Sequence, residues 1–393
     1  MSDTKSRYNT TNPIFQLALF STTSMTVLGS VVISPSLPAM KAHFLGIAHI
    51  DILIPLILTT PALFVVLFSP IAGILADKYG KLKFLFPSMV FWSVAGAIGF
   101  WLDNVYHILI SRAIFGIATA FVMVCASALV GDYYSGVERQ RALGKQGFGT
   151  ACGSAIFVSL GGYLSSFDWR FPFLVYLLGF LVFIFAYFYL FEPRIEARFK
   201  VAAQTSSQSH FSFFLFLPIY LLAFGTMVTY YISPTQIPFF ITDYLHQDPK
   251  IIGFSMTASS IAYGTASLFY QRLRNRFNIY RIYTFALISM ASCFLIIYVF
   301  HSYIAVIIGL MFLGAGCGLM IVNNSSFLLS IAKDSIRARV LGGLSSFVFL
   351  GHFSSPLLTQ PIVQHFGLFS LFLFFAIFIY LLGILFAIKS FYV

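Results

Sequence analysis

Residues 71–83, IAGILADKYGKLK, crowd Asp77, Lys78, Gly80, Lys81 and Lys83 into one short hydrophilic turn between two long apolar stretches. The residue types say what such a turn can do. Asp77 can accept hydrogen bonds at a helix end, Gly80 permits a left-handed backbone, Gly73 lets two helices approach closely, and the lysines hold the turn in water. Within the apolar stretches two ionisable side chains stand out, Arg112 and His352, whereas all twelve acids lie in or near the polar breaks. Arg112 has no acidic neighbour there, so polar side chains, carbonyls, water or an anionic solute must satisfy it. His352 titrates in a range suited to proton transfer, although a neutral imidazole bonded to a neighbouring helix would serve structure alone. Cys125, Cys152, Cys293 and Cys317 sit singly in apolar surroundings without metal-ligand spacing and read as small core residues. No His-x3-His pair, Gly-x-Ser-x-Gly elbow or phosphate-cradling loop is present, so neither an enzyme nor a metal or other cofactor is expected.

The elements that must position these residues are membrane helices. The chain of 393 residues is 59% hydrophobic and 9% charged, too few charges to cover a soluble protein. Apolar runs near 14–40, 51–76, 82–102, 105–131, 142–164, 170–191, 213–242, 251–271, 279–300, 302–330, 340–364 and 367–388 each reach the roughly 20 residues that span a bilayer. They are continuous rather than alternating, which excludes a membrane β-barrel. With twelve helices and both termini on one side, 19 of the 23 lysines and arginines fall on that side, the cytoplasmic one by the positive-inside rule. The formal net charge of +11 needs no nucleic-acid partner to explain it. The first run is too long for a signal-peptide core and reads as a retained helix.

The chain also matches itself. An offset of 198 residues places Asp77-Lys78-Tyr79 on Asn275-Arg276-Phe277, Gly116 on Gly314, Arg139 and Arg141 on Arg337 and Arg339, and Gly153 on Gly351. A nearly constant offset across four helix pairs indicates two six-helix halves. Residues 192–212 form the longest polar stretch, so the expected organisation is a first half over 1–191, a linker over 192–212 and a second half over 213–393.

The pattern Gly73-x3-Asp77-Lys78-x-Gly80-Lys81-x-Lys83 resembles the cytoplasmic loop between helices 2 and 3 of major facilitator superfamily transporters. Within that superfamily the chain is most similar to the twelve-helix drug:proton antiporter branch. Arg112 and Gly116 match the branch's Arg-x3-Gly signature in the fourth helix, and Gly144, Gly153, Gly161 and Gly162 match the fifth-helix signature. Phe157 and Val158 replace that signature's central Gly-Pro, so the kink-forming proline is missing. The resemblance implies an all-α fold of two pseudo-symmetric six-helix halves with a site between them. It also implies a conformational latch made by Gly73, Asp77, Lys78, Gly80, Lys81 and Asp132 with a basic residue of the eleventh helix, Arg337 or Arg339. In the resembled fold Gln16, Thr26, Tyr230, Tyr231, Gln236, Asn323 and Asn324 lie on helices lining the central cavity and are candidate solute contacts, with His352 the coupling candidate. The paired asparagines stand out because two adjacent amides in lipid would be costly unless one faced a cavity.

The expected activity is secondary active transport of a small organic solute by alternating access, in the bacterial inner membrane, with proton-coupled efflux of drugs or metabolites favoured. The protein would act as a monomer, with the solute, protons and lipid as its partners. Two alternatives stand beside it: uptake of a neutral or anionic nutrient or metal-chelating metabolite, consistent with the missing intramembrane acid, and a non-transporting membrane receptor.

Overall fold

A computed structural model of the chain describes residues 10, 12–134, 136–192, 213–333 and 336–391. The part of the expected linker from 193 to 212 lies outside the described residues, as do the side chains of Arg139 and Arg141. The first half contains α1 (Pro13–Val31), a short α2 (Leu37–His43), α3 (Ile50–Tyr79), α4 (Leu82–Ala97), α5 (Val105–Tyr133), α6 (Gly136–Ser165) and α7 (Leu178–Tyr189). The second contains α8 (Phe213–Phe239), α9 (Pro249–Arg274), α10 (Ile279–Phe300), α11 (Tyr303–Ile331), α12 (Arg337–Phe366) and α13 (Leu368–Phe391). Setting aside α2, these are the twelve long helices that the apolar runs predict.

Local sequence explains where the helices begin and stop. Side chains of Asn12, Asn104, Asp248, Asn278 and Ser302 accept hydrogen bonds from the first-turn amides of α1, α5, α9, α10 and α11. Gly80 ends α3 and Gly367 ends α12 with φ of 101° and 82°, a backbone region that side chains disfavour. Among the described residues nine helical spans are long and apolar enough to cross a membrane by themselves. The exceptions among the long helices are α1, which packs against α5, α6 and α7 within the first half, and α6 and α9, which pack on each other between the halves; helices so covered need less apolar surface.

One apolar core joins residues of α1 to α7, and a second is built mainly from α8 to α13. The internal repeat is visible in the packing. A Cβ at Gly116 of α5 would overlap the carbonyl of Pro61 on α3, and one at Gly314 of α11 would overlap the carbonyl of Ser259 on α9. Pro61 and Ser259 are themselves related by the 198-residue offset, so the same small-residue crossing is built twice. The halves meet along two seams, α3 with α12 and α6 with α9. In the second seam Gly162 faces Gly253 so closely that a Cβ on Gly162 would lie 2.7 Å from the Gly253 Cα, and Ser159 and Thr257 share a hydrogen bond of 2.6 Å.

Candidate functional site

Between the halves, α1, α3, α5, α8 and α12 enclose a small pocket of about 20 Å³ lined by Thr26, Pro61, Phe115, Thr119, Tyr231, Phe349 and His352, among others. It adjoins, across Val65 and Phe349, a vestibule of about 340 Å³ between α3, α5 and α12. The vestibule is lined by Val66, Ser69, Met123, Val124, Ser345 and Ser346 and lies toward the face that carries the lysine-rich turn. No lining residue of either space is formally charged. The His352 ring stacks on Tyr231 with centroids 3.9 Å apart and planes inclined by 17°, and its Nε2 lies 3.4 Å from Met227 Sδ.

The opposite face is sealed where the halves meet. Ser34 Oγ, following α1, donates 2.6 Å to the carbonyl of Pro234 on α8, and Lys41 of α2 lies over the Phe239 ring at 5.6 Å. Nearby on that face, the exposed Asp103 carboxylate accepts from His43 Nε2 at 2.6 Å and Arg170 Nη2 at 2.7 Å; these bonds, His43's first, hold it below the ordinary carboxylate range. The lysine-rich face is open. A Cβ at Gly342 of α12 would meet nothing within 4 Å, and one at Gly73 would touch only Val124 at 3.9 Å. Gly73 therefore does not make a close helix crossing in this conformation.

The lysine-rich turn is clamped within the first half. Lys81 Nζ pairs with Asp132 at the end of α5. The backbone amides of Lys81 and Leu82 donate 2.8 Å and 2.7 Å to the two oxygens of Glu192, and Gly80 leaves room for that carboxylate. Glu192, not Asp77, thus caps α4. Asp77 and Lys78 are exposed, Asp77 makes no ion pair among the described residues, and Arg337 and Arg339 are exposed on the first turn of α12. Among the described residues no ion pair bridges Asp77 to the eleventh helix, since the vestibule separates α3 from α12 in this conformation.

Several candidate residues lie elsewhere than expected. Arg112 is fully buried within the first half, where Nη2 donates to the carbonyls of Ala95 and Gly96 at 2.9 Å and 2.6 Å and the guanidinium is surrounded by the rings of Phe115, Phe173 and Tyr176. Aromatic faces and carbonyls take the place of an acid, and Phe115 separates Arg112 from the pocket, so it is not an anion site there. Asn323 and Asn324 are 0% and 1% exposed inside the second half. Asn323 accepts from Tyr270 at 3.0 Å and donates to the Ile279 carbonyl at 3.1 Å; Asn324 accepts from Tyr283 at 2.8 Å. The amides escape the cost of lipid by bonding tyrosines rather than by facing the cavity. Tyr230 turns toward Tyr263 of α9, and Gln236 donates 2.9 Å to Gln360 in a buried pair. Gln16 accepts from Lys145 Nζ at 2.9 Å and donates to the Thr10 carbonyl. None of these six candidates lines the pocket.

Thr26, Tyr231 and His352 do line it. Gly161 and Gly162 make close crossings, Gly161 against the Val32 carbonyl. Gly144 and Gly153 lie on α6, which runs unbroken without the Gly-Pro kink. Sequence reasoning missed Glu192, Thr119, Phe115 and Phe349. The Glu-Pro pair closing the sixth apolar run was a usable signal for Glu192; the others sit in sequence like any helix residue.

Comparison with known proteins follows the same lines. A family model described as Major Facilitator Superfamily matches residues 19–240 and 219–391. Multidrug resistance protein 1 of Bacillus subtilis (strain 168) is 26% identical over 304 residues, covering 74% of this chain and 75% of that protein. Multidrug resistance protein 2 of the same organism is 24% identical over 368 residues, 90% of each. The crystal structure of the nucleoside transporter NupG shares the fold at a TM-score of 0.76 and 14% identity, covering 96% of this chain and 99% of that one.

Proposed function

We propose, from the premise that the chain belongs to the major facilitator superfamily of secondary transporters, that it exports drugs or metabolites from a bacterial cell in exchange for protons. The relatives named as multidrug resistance proteins support the direction. The positive-inside rule assigns the lysine-rich face, and with it both termini, to the cytoplasm of the inner membrane. On that assignment the vestibule opens inward and the Ser34–Pro234 contact seals the outer face, which is the state in which an exporter loads. Rocking of the two halves, 1–191 and 213–393 on either side of the linker, would then present the pocket outward. The protein would do this as a single chain.

The observation that carries this reading is the pocket itself: it lies at the seam of two repeated halves, reachable from one face only, and contains one titratable imidazole and no carboxylate. His352 is accordingly the proton site in this reading, and Lys81, Asp132, Asp77 and the start of α12 form the inner latch. The absence of an acid in the pocket also favours a second reading, proton-linked uptake of a neutral or anionic solute.

Transport into inverted membrane vesicles across a solute panel, with and without an imposed pH gradient, tests the proposal. Accumulation that collapses when the gradient is dissipated is expected of an exporter, and the opposite direction would establish uptake. His352→Gln should abolish the gradient response while preserving solute binding; gradient-driven transport in that variant would place coupling elsewhere.

A further inference from the structure

The lone pairs and protons lining the pocket are unequally available. Thr26 Oγ1 donates its proton to the Thr23 carbonyl at 2.8 Å, and Thr119 Oγ1 donates to the Phe115 carbonyl at 2.7 Å. In the vestibule Ser69 Oγ donates to the Val65 carbonyl at 2.6 Å and Ser346 Oγ to the Gly342 carbonyl at 3.1 Å. A hydroxyl has one proton and two lone pairs, so each of these groups, its proton spent on its own helix, offers a solute acceptor capacity only. Ser345 is the exception in the vestibule, its hydroxyl having no partner among the described residues. His352 follows the same rule. A thioether accepts and cannot donate, so the Nε2 contact with Met227 Sδ requires the Nε2–H tautomer, leaving a lone pair on Nδ1 with no partner among the described residues.

We infer that this path selects uncharged aromatic solutes that carry hydrogen-bond donors, such as phenols, over cations. The inference rests on the transporter reading and adds the chemical class of its solute. The pocket, at about 20 Å³, takes only the donor group, which would meet Thr26, Thr119 and His352 Nδ1, while the ring would lie in the adjoining vestibule of about 340 Å³ against Phe349, Val65 and Met123. A cation entering the pocket would lose its hydration and find no carboxylate to offset the loss. An ether of the same shape would leave the acceptors unmatched.

The same geometry ties the solute to the proton. Nδ1 can hold either a proton or a donor group, so the two exclude each other, which is the competition an antiporter needs. Among the described residues no charged group on α1, α3, α5, α8 or α12 faces His352 in the pocket; Tyr231, stacked on it, is the other titratable group there.

Equilibrium binding to the full-length protein in lipid nanodiscs tests this with three aromatic scaffolds, coumarin, naphthalene and biphenyl, each as a phenol, its methyl ether and a trimethylammonium derivative. The phenols should bind about tenfold more tightly than their ethers, the size of one or two matched hydrogen bonds, with the trimethylammonium compounds weakest. Thr119→Val removes an acceptor with little change of shape and should narrow the phenol-to-ether ratio. His352→Gln keeps an acceptor but does not titrate, so it should retain the ratio and lose the weakening of phenol binding on acidification. Equal affinity for ether and phenol, tighter binding of the cations, or no binding by any phenol overturns the inference. Transport of the cationic members in the vesicle assay would overturn the solute class and leave the transporter reading intact; failure of the whole vesicle panel would overturn that reading instead.

Discussion

A polar side chain in a membrane protein must face water or find partners inside the bundle, and its cost in lipid does not say which. Asn323 and Asn324 show the ambiguity. Their adjacency in an apolar run announces that they matter, but only the folded chain reveals Tyr270 and Tyr283 as their partners, at sequence separations of 53 and 41 residues. Arg112 is a similar case: two carbonyls accept from its Nη2 and three rings surround it, partners that no charge pattern signals. Thr26 and Tyr231 were legible as cavity candidates because the likeness to a known fold assigned their helices to the cavity, and His352 stood out as an ionisable side chain within an apolar run. Asn323→Ala should therefore act on stability. Leaving the Tyr270 hydroxyl without its acceptor in a buried site should cost about 1–3 kcal/mol, read as a lower unfolding temperature in detergent, with relative affinities for phenol and ether unchanged. An altered affinity ratio at an unchanged unfolding temperature would return the amide to the solute path.

At the scale of elements the sequence was most informative, because apolar runs, caps and glycines act locally. The 198-residue offset foretold that Gly116 and Gly314 do the same job, and both meet a backbone carbonyl of the repeat-related partner helix. What it could not foretell was the conformation, since the glycines of the outer and inner ends look alike as letters. In this state Gly162 is in backbone contact with Gly253 while Gly342 faces open space. Gly162→Ala should consequently hold α6 and α9 apart at the sealed face and shift the population toward a state closed on the lysine-rich face. A cysteine at Ser345, in a background lacking the four native cysteines, should then label several-fold more slowly with a hydrophilic thiol reagent. Gly225→Ala, with nothing within 4 Å of the added carbon, is the control expected to leave labelling unchanged. Equal labelling in the two variants would separate the α6–α9 seam from the conformational change.

For the whole molecule, the question is what holds the inner face shut when the halves rock. In the open state the turn's cation is paired with Asp132 and its backbone amides with Glu192, both from the first half, while the Asp77 carboxylate is unspent. Across the opening, α12 begins after Ile336, whose own side chain provides no cap. The positive end of a helix dipole attracts a carboxylate, and the exposed Arg337 and Arg339 add to that attraction. Closure that brings Asp77 to this end would make a contact absent from the open state, so it would act on the conformational equilibrium and not on solute binding to the open form. Asp77→Asn should lower transport strongly, with normal membrane insertion and normal phenol affinity in nanodiscs. Asp132→Asn should do likewise by releasing Lys81, and the double variant should lose less than the product of the two single effects if all three groups serve one latch. Wild-type transport by a correctly inserted Asp77→Asn protein would sink the idea, and a fully multiplicative double variant would mean that the Lys81–Asp132 clamp and the Asp77 contact act independently.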